Sequence, residues 1–188
     1  DHIITQIQQN KRTIPAHPTS NQVNQTIEHR LNFKNPVKEL FFVIQRKNNR
    51  VLDSTNFTST FDYDLKSYQF LNGEYLNYES LRNLELSLDD RIILNEKTGD
   101  IINLRAIQSG IHHSRTQLFR RFYSYSFALE PERWYPTGQV NFSLIKDQII
   151  KLTLNPDYDQ GIRELRVYAL SYNILRIENG IATTLFNL

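Results

Sequence analysis

The sequence predicts an all-β protein: an antiparallel sandwich of eight strands joined by long loops. Three observations predict it. Apolar and small residues alternate with period two, most plainly where Tyr123, Tyr125, Phe127 and Leu129 interleave with Ser124, Ser126 and Ala128, as in a pleated strand with one packed face. The alternating runs stop at Pro, Gly and Asn, residues that close turns. The chain also carries 10 Tyr and 11 Phe with many Ile and Thr, a strand-favouring composition, and no run keeps a convincing 3.6-residue period.

Taken in order, residues 1–24 are polar, rich in Gln and Asn, with Pro15 and Pro18. They are expected to form an N-terminal arm or linker. Residues 25–33 place Ile27, Leu31 and Phe33 on one face of a first strand. Asn35-Pro36 ends it, because proline cannot donate to a ladder. Residues 37–46 follow, apolar on both faces from Leu40 to Ile44, and are expected to be a central strand. A polar connection over 46–80 is punctuated by Phe57, Phe61, Tyr63, Tyr68, Phe70, Tyr75 and Tyr78. These aromatics suit packing onto a neighbouring unit, or stacking on a sugar. Strands are then expected near 83–90, 101–108, 121–129, 147–154, 164–177 and 181–186, the last two joined by Asn179-Gly180, a strong two-residue hairpin signal. Residues 25–188 thus form one domain.

The composition excludes several classes. There are 22 Lys and Arg against 20 Asp and Glu, a formal charge of +2. The basic residues are scattered, with adjacent pairs at Lys11-Arg12, Arg46-Lys47 and Arg120-Arg121, which argues against a direct nucleic-acid groove. With no cysteine there is no disulfide, thiol nucleophile or cysteine metal site. No apolar run reaches the ~20 residues a transmembrane helix needs. The chain begins at Asp1 and has no methionine, so it is expected to be a processed product or a piece of a longer polypeptide.

Several residues invite a chemical reading and are declined. Lys38-Glu39 could be an acid–base pair, but neighbours on a regular strand point to opposite faces. Asp89-Asp90 ends a strand, where acidic residues are normally solvated. His112-His113 lacks the third ligand a metal site needs, and loop hydrogen bonding is expected of it. Lys97-Thr98-Gly99-Asp100 has the wrong order for a phosphate loop and reads as a turn. Asn155 to Gly161 has an Asp-x-Asp order but no terminal glutamate, and also reads as a turn. Glu130 and Glu132 have no positioned partner at glycosidase spacing. No cofactor, metal or catalytic residue is expected. Of three sequons, Asn24-Gln25-Thr26, Asn56-Phe57-Thr58 and Asn141-Phe142-Ser143, the last is expected to use its asparagine on loop backbone groups.

Three stretches resemble one family. Tyr125-Ser126-Phe127-Ala128-Leu129, Pro131-Glu132, Pro136-Thr137-Gly138 and Asn141-Phe142-Ser143 are similar to the signature of major capsid proteins of nucleocytoplasmic large DNA viruses, with Thr137, Leu144 and Lys146 departing from it. Asn35-Pro36-Val37-Lys38-Glu39-Leu40 is similar to the start of that family's second jelly roll. Arg166-Val167-Tyr168-Ala169-Leu170-Ser171-Tyr172-Asn173 is similar to the long strand near that family's C-terminal end, with Ser171 departing.

The resemblance covers roughly 27–188 and implies an eight-stranded jelly roll, the C-terminal half of a double jelly-roll capsid protein. It implies a homotrimer forming pseudo-hexagonal capsomers of an icosahedral shell. It also implies contacts with neighbouring capsomers and minor capsid proteins, a nearby internal viral membrane, and assembly in the host cytoplasm into the virion capsid. The chain is then no enzyme. On this reading Phe41, Phe42, Tyr125, Phe127, Tyr168, Tyr172 and Leu175 fill the core, which for Phe127→Ala predicts a cost of about 3–5 kcal/mol. Pro36, Pro136, Gly138 and Gly180 set corners, and Trp134 anchors an interface. The alternatives are a transient viral scaffolding protein of the same fold and a carbohydrate-binding β-sandwich using the 57–78 aromatics.

Overall fold

The computed structural model describes residues 1–16, 24–46, 66–71, 74–115, 122–155 and 162–186. Its strands are β1 (His2–Ile14), β2 (Gln25–Arg30), β3 (Pro36–Arg46), β4 (Lys66–Leu71), β5 (Glu74–Glu79), β6 (Leu81–Leu88) and β7 (Arg91–Leu94). They continue with β8 (Phe122–Ser126), β9 (Val140–Asn141), β10 (Gln148–Leu154), β11 (Arg163–Glu178) and β12 (Ile181–Thr184). Two antiparallel sheets face each other. One runs β1-β11-β3-β8, extended by β9 on β3 and β12 on β11; the other runs β2-β10-β6-β7. This is the jelly-roll sandwich. β4 and β5 form a separate hairpin.

The core lies between the sheets because each strand sends every second side chain inward. From the first sheet come Leu40, Phe42, Ile44, Tyr123, Leu165, Val167 and Ala169, and from the second Ile27, Leu84, Leu86, Ile150, Leu152 and Leu154. β10 shows the alternation cleanly, with Ile150, Leu152 and Leu154 buried and Ile149, Lys151 and Thr153 half-buried. β3 is interior, between β11 and β8, as its continuous apolar run requires.

The segment expected as an arm is largely sheet. β1 pairs with β11 along its whole length, from His2 opposite Leu175 to Ile14 opposite Arg163. Its polar sequence reflects an edge strand, with residues alternately half-buried and exposed from Ile4 to Lys11 and Ile14 buried at its end. Edge strands with polar side chains resist further pairing, and that same polarity hid this strand.

The strand expected at 101–108 is helical. A π-type turn over Asn103–Ile107 runs directly into the helix α1, Gln108–His112. Asp100 starts it: its Oδ1 accepts from Ile102 N at 2.8 Å and its carbonyl from Leu104 N at 3.0 Å. Leu104 is the buried residue. The five-residue spacing of a π-turn escapes both a period of two and a period of 3.6.

Two hairpins turn on left-handed residues. Asn179 (φ 52°) and Gly180 (φ 79°) join β11 to β12, and Asp89 (φ 46°) and Asp90 (φ 62°) join β6 to β7, the pattern of two-residue turns that match strand twist. Asp89 Oδ1 accepts from the backbone N–H groups of Lys146 and Asp147, each at 2.9 Å. Asp89 thereby ties the β6–β7 turn to the loop before β10.

Candidate functional site

The family-like stretches, far apart in sequence, meet at one corner. β3 opens at Pro36 behind Asn35, which is buried in the left-handed region (φ 66°). Asn35 N donates to Ser143 Oγ at 2.8 Å and Phe142 N to the Asn35 carbonyl at 3.0 Å. Asn141 Oδ1 accepts from Ser143 N at 3.1 Å, tightening a short turn over Phe142–Leu144 that buries Phe142. Gln148 Nε2 donates to the carbonyls of Phe33 at 2.9 Å and Phe142 at 3.1 Å. Buried carbonyls that would otherwise be costly are thereby satisfied.

Next along β3 the ladder slips. The β3–β11 register shifts between Leu170, opposite Glu39, and Ser171, opposite Val37, so Lys38 is the extra residue of a bulge. The bulge breaks the alternation on which Lys38 and Glu39 were separated. Both side chains are buried, and Glu39 acts electrostatically on Lys38. The Lys38 carbonyl accepts from Phe127 N at 2.8 Å and Ala128 N at 3.2 Å, and its Nζ donates to the Pro131 carbonyl at 2.8 Å. Nζ also lies 5.3 Å from the Tyr172 ring centroid. Burial pulls the Lys38 amine below the usual lysine range, against the opposing pull of Glu39.

Lys38 thus pins the base of the loop 127–138. Thr137 Oγ1 closes that loop by accepting from Glu130 N at 2.9 Å and donating to the Glu130 carbonyl at 3.1 Å, while Arg133 pairs with Glu130. Gly138 is required: a Cβ there would sit 2.6 Å from the Phe127 carbonyl oxygen. At the tip, Trp134 is 86% exposed and meets Tyr135 edge-on at 5.4 Å. Pro136, Leu129 and Leu144 are also exposed.

The histidine pair forms a second strap. His112 Nδ1 bonds the Leu129 carbonyl at 3.0 Å. His113 Nε2 lies 2.6 Å from Glu39, which is 1% exposed, and its Nδ1 lies 3.5 Å from Glu132. Ser114 N donates to Glu132 at 3.0 Å. The Glu39 hydrogen bond raises the His113 pKa above the ordinary histidine value, with burial opposing and Glu132 assisting. The Ser114 N–H lowers that of Glu132. His112, His113, Ser114 and Glu132 line an open depression of about 500 Å³ with Ile111, Leu129, Glu130 and Arg133. The Ser114 hydroxyl bonds Glu132, not the imidazole, so no nucleophile–base pair is formed. Among the described residues no cluster of three or more His, Cys, Asp or Glu is placed to hold a metal.

The expected core residues divide. Phe42 is fully buried. Tyr125 and Phe127 pack on the core's rim, Phe127 edge-on to Phe142 at 5.8 Å. Phe41 and Tyr168 face outward, lining a shallow apolar hollow with Ile7 and Leu170. They are not core, because their strands are apolar on both faces and periodicity alone cannot say which face is inside. Tyr172 is buried, but against Lys38 on the outward face. Leu175 is half-buried beyond the sandwich's centre. Pro36 is half-buried at the β3 entry and pairs with Asn141. Of the 57–78 aromatics, Phe57, Phe61 and Tyr63 lie outside the described residues; Tyr68 and Phe70 fall on β4, and Tyr75 and Tyr78 on β5. Sequence reasoning missed His113–Glu39, although a charged pair inside an apolar strand was its signal.

Two facing antiparallel sheets with a strapped corner define a jelly-roll β-sandwich protein. The model of the family described as large eukaryotic DNA virus major capsid protein matches residues 1–183, and the chain belongs to that family. Its members are structural capsid components of the virion, not enzymes. The chain is 38% identical over 100 residues, 52% of its length, to the major capsid protein of Phaeocystis pouchetii virus, covering 18% of that protein. It is 22% identical over 177 residues, 94% of its length, to probable capsid protein 4 of Acanthamoeba polyphaga mimivirus, covering 32% of it. In structure it resembles the PBCV-1 capsid chain, with a TM-score of 0.73 and 19% identity over 100% of this chain and 51% of that one. It also resembles the Faustovirus major capsid protein, at 0.68 and 14% over 94% and 34%. The chain therefore spans about half or less of the relatives it matches.

Proposed function

We propose that this chain is the second jelly roll of a double jelly-roll capsid protein that assembles as a homotrimer, giving a pseudo-hexagonal capsomer that tiles an icosahedral shell. In this reading residues 1–24 connect it to the first jelly roll while lending β1 to the sandwich that 25–188 complete. Trp134 carries the reading. An indole 86% exposed, on a loop fixed at its base by Lys38, is a preformed anchor whose burial needs a partner surface. Neighbouring capsomers and minor capsid proteins would share that surface. Assembly would take place in the host cytoplasm, near an internal membrane and without direct contact to nucleic acid. No helix among the described residues is long and apolar enough to cross a membrane.

Sedimentation velocity on the full-length protein tests this. A trimer that dissociates with Trp134→Ala is expected. A wild-type monomer at high concentration, or a trimer indifferent to that substitution, would overturn the respective part. Absence of the protein from mature particles would favour the scaffolding alternative.

A further inference from the structure

The imidazole of His113 stands between two carboxylates, one on each ring nitrogen: Glu39 at Nε2, 2.6 Å, and Glu132 at Nδ1, 3.5 Å. A neutral imidazole carries one N–H and one lone pair, so it can donate to only one of them and must turn its lone pair on the other. Only the imidazolium serves both. Glu39 belongs to the buried bulge of β3, while Glu132 belongs to the loop that bears Trp134. The two carboxylates therefore sit on opposite sides of a joint that Lys38 pins at the loop's base, and one proton adds the His113 bridge beyond it.

We infer that His113 is a proton-gated latch: its protonated ring bridges the Trp134 loop to the β3 bulge, and loss of the proton breaks that bridge and leaves Glu132 held by Ser114 alone. The other charged groups nearby do not replace it. Lys38 acts on Glu39 but spends its hydrogen bond on the Pro131 carbonyl. Glu130 and Arg133 pair with each other on the loop. His112 bonds a backbone carbonyl, and the Phe41 ring at 6.0 Å brings no charge. Glu39 and Glu132 are the charges that act on the ring, and both favour its protonated form. That the latch would tune assembly rests on the trimer reading above; the latch itself does not.

Hydrogen exchange read by mass spectrometry on the full-length protein tests it, following the peptide spanning 127–138 between pH 5 and 9 after correction for intrinsic exchange. Wild-type protection is expected to fall about tenfold across a single transition above the ordinary histidine value of about 6.5. His113→Gln should remove the transition, and His29→Gln, on a histidine bonded instead to Asn10, should keep it. Glu132→Gln leaves the Glu39 bond in place and should give low protection at every pH, which covers the case in which His113→Gln does not fold. A wild-type profile without a transition, or one unchanged in His113→Gln or Glu132→Gln, would overturn the latch. Sedimentation of the same samples separates the two readings: a monomer that still titrates leaves the latch standing and removes the trimer.

Discussion

The Lys38 ammonium reaches the Pro131 carbonyl at 2.8 Å from a strand 93 residues away in sequence, while the Lys38 carbonyl holds Phe127 and Ala128 from the other side. One bulged residue thereby carries both ends of the loop's first half. Lys38→Met keeps the aliphatic stem and removes the donor, leaving a buried carbonyl unpaired. The expected loss is about 1.5–3 kcal/mol in urea unfolding, the range for a hydrogen bond with a charged partner. A loss under about 0.5 kcal/mol, ordinary for a neutral surface site, would show that the corner stands without it.

Neighbouring phenylalanines should behave differently. Phe42 is fully buried in the core, so Phe42→Ala is expected to cost about 3–5 kcal/mol. Phe127 is a rim residue held by Phe142 and Tyr125, so the cost expected for Phe127→Ala falls to about 2–3 kcal/mol, below what a core placement required. Phe41, on the outward face, should cost less than Phe42. Chemical denaturation of the three variants orders them, and Phe41 equal to Phe42 would contradict the faces assigned here.

That pair shows what the sequence carried and what it withheld. β3, β6, β10 and β11 were legible because their apolar periodicity is strong, and Asn179-Gly180 because its turn chemistry is local. β1 was hidden by its polarity, which belongs to an edge. The helical segment after Gly99 was hidden because a π-turn fits neither repeat, although Asp100 offered a cap. Lys38 and Glu39 were separated by a rule that holds only for unbulged strands, and a bulge is a property of the pairing, not of one strand's sequence. Trp134 was legible as a loop residue offered to an interface; the supports of its loop, drawn from β3 and α1, required the tertiary fold.

Two corner glycines should differ in cost. At Gly138 a Cβ would meet the Phe127 carbonyl oxygen at 2.6 Å, backbone against backbone, whereas at Gly180 it would meet nothing within 4 Å. Gly138→Ala must move the loop and is expected to cost about 3 kcal/mol. Gly180→Ala strains only its own left-handed backbone, about 1–2 kcal/mol. Thermal unfolding separates them, and the reverse order would refute the close approach at Gly138.

Trp134→Ala should leave the fold alone. With the indole exposed, stability is expected to change by less than about 0.5 kcal/mol, whereas an interface anchor of this type contributes about 2 kcal/mol or more to association. The two are measured separately, by denaturation of the monomer and by the dissociation constant of the assembly. A large loss of monomer stability with unchanged association would place the indole in a role internal to the chain.

The pH dependence of stability has a defined sign. The His113 pKa is raised in the folded chain, chiefly by the bond to Glu39, so its contribution is fully present below the unfolded value of about 6.5 and is lost as pH rises through the folded value. Glu132 runs the other way. Its pKa is lowered, chiefly by the Ser114 N–H, so its contribution is present above the unfolded carboxylate value and fades as pH falls through the folded one. The latch should therefore be worth most in the mildly acidic window between them. The stability difference between wild type and His113→Gln, measured by urea unfolding, is expected to be largest near that window and to shrink toward pH 9. A difference that stays constant or grows with pH would mean that the neutral ring supports the corner as well as the charged one.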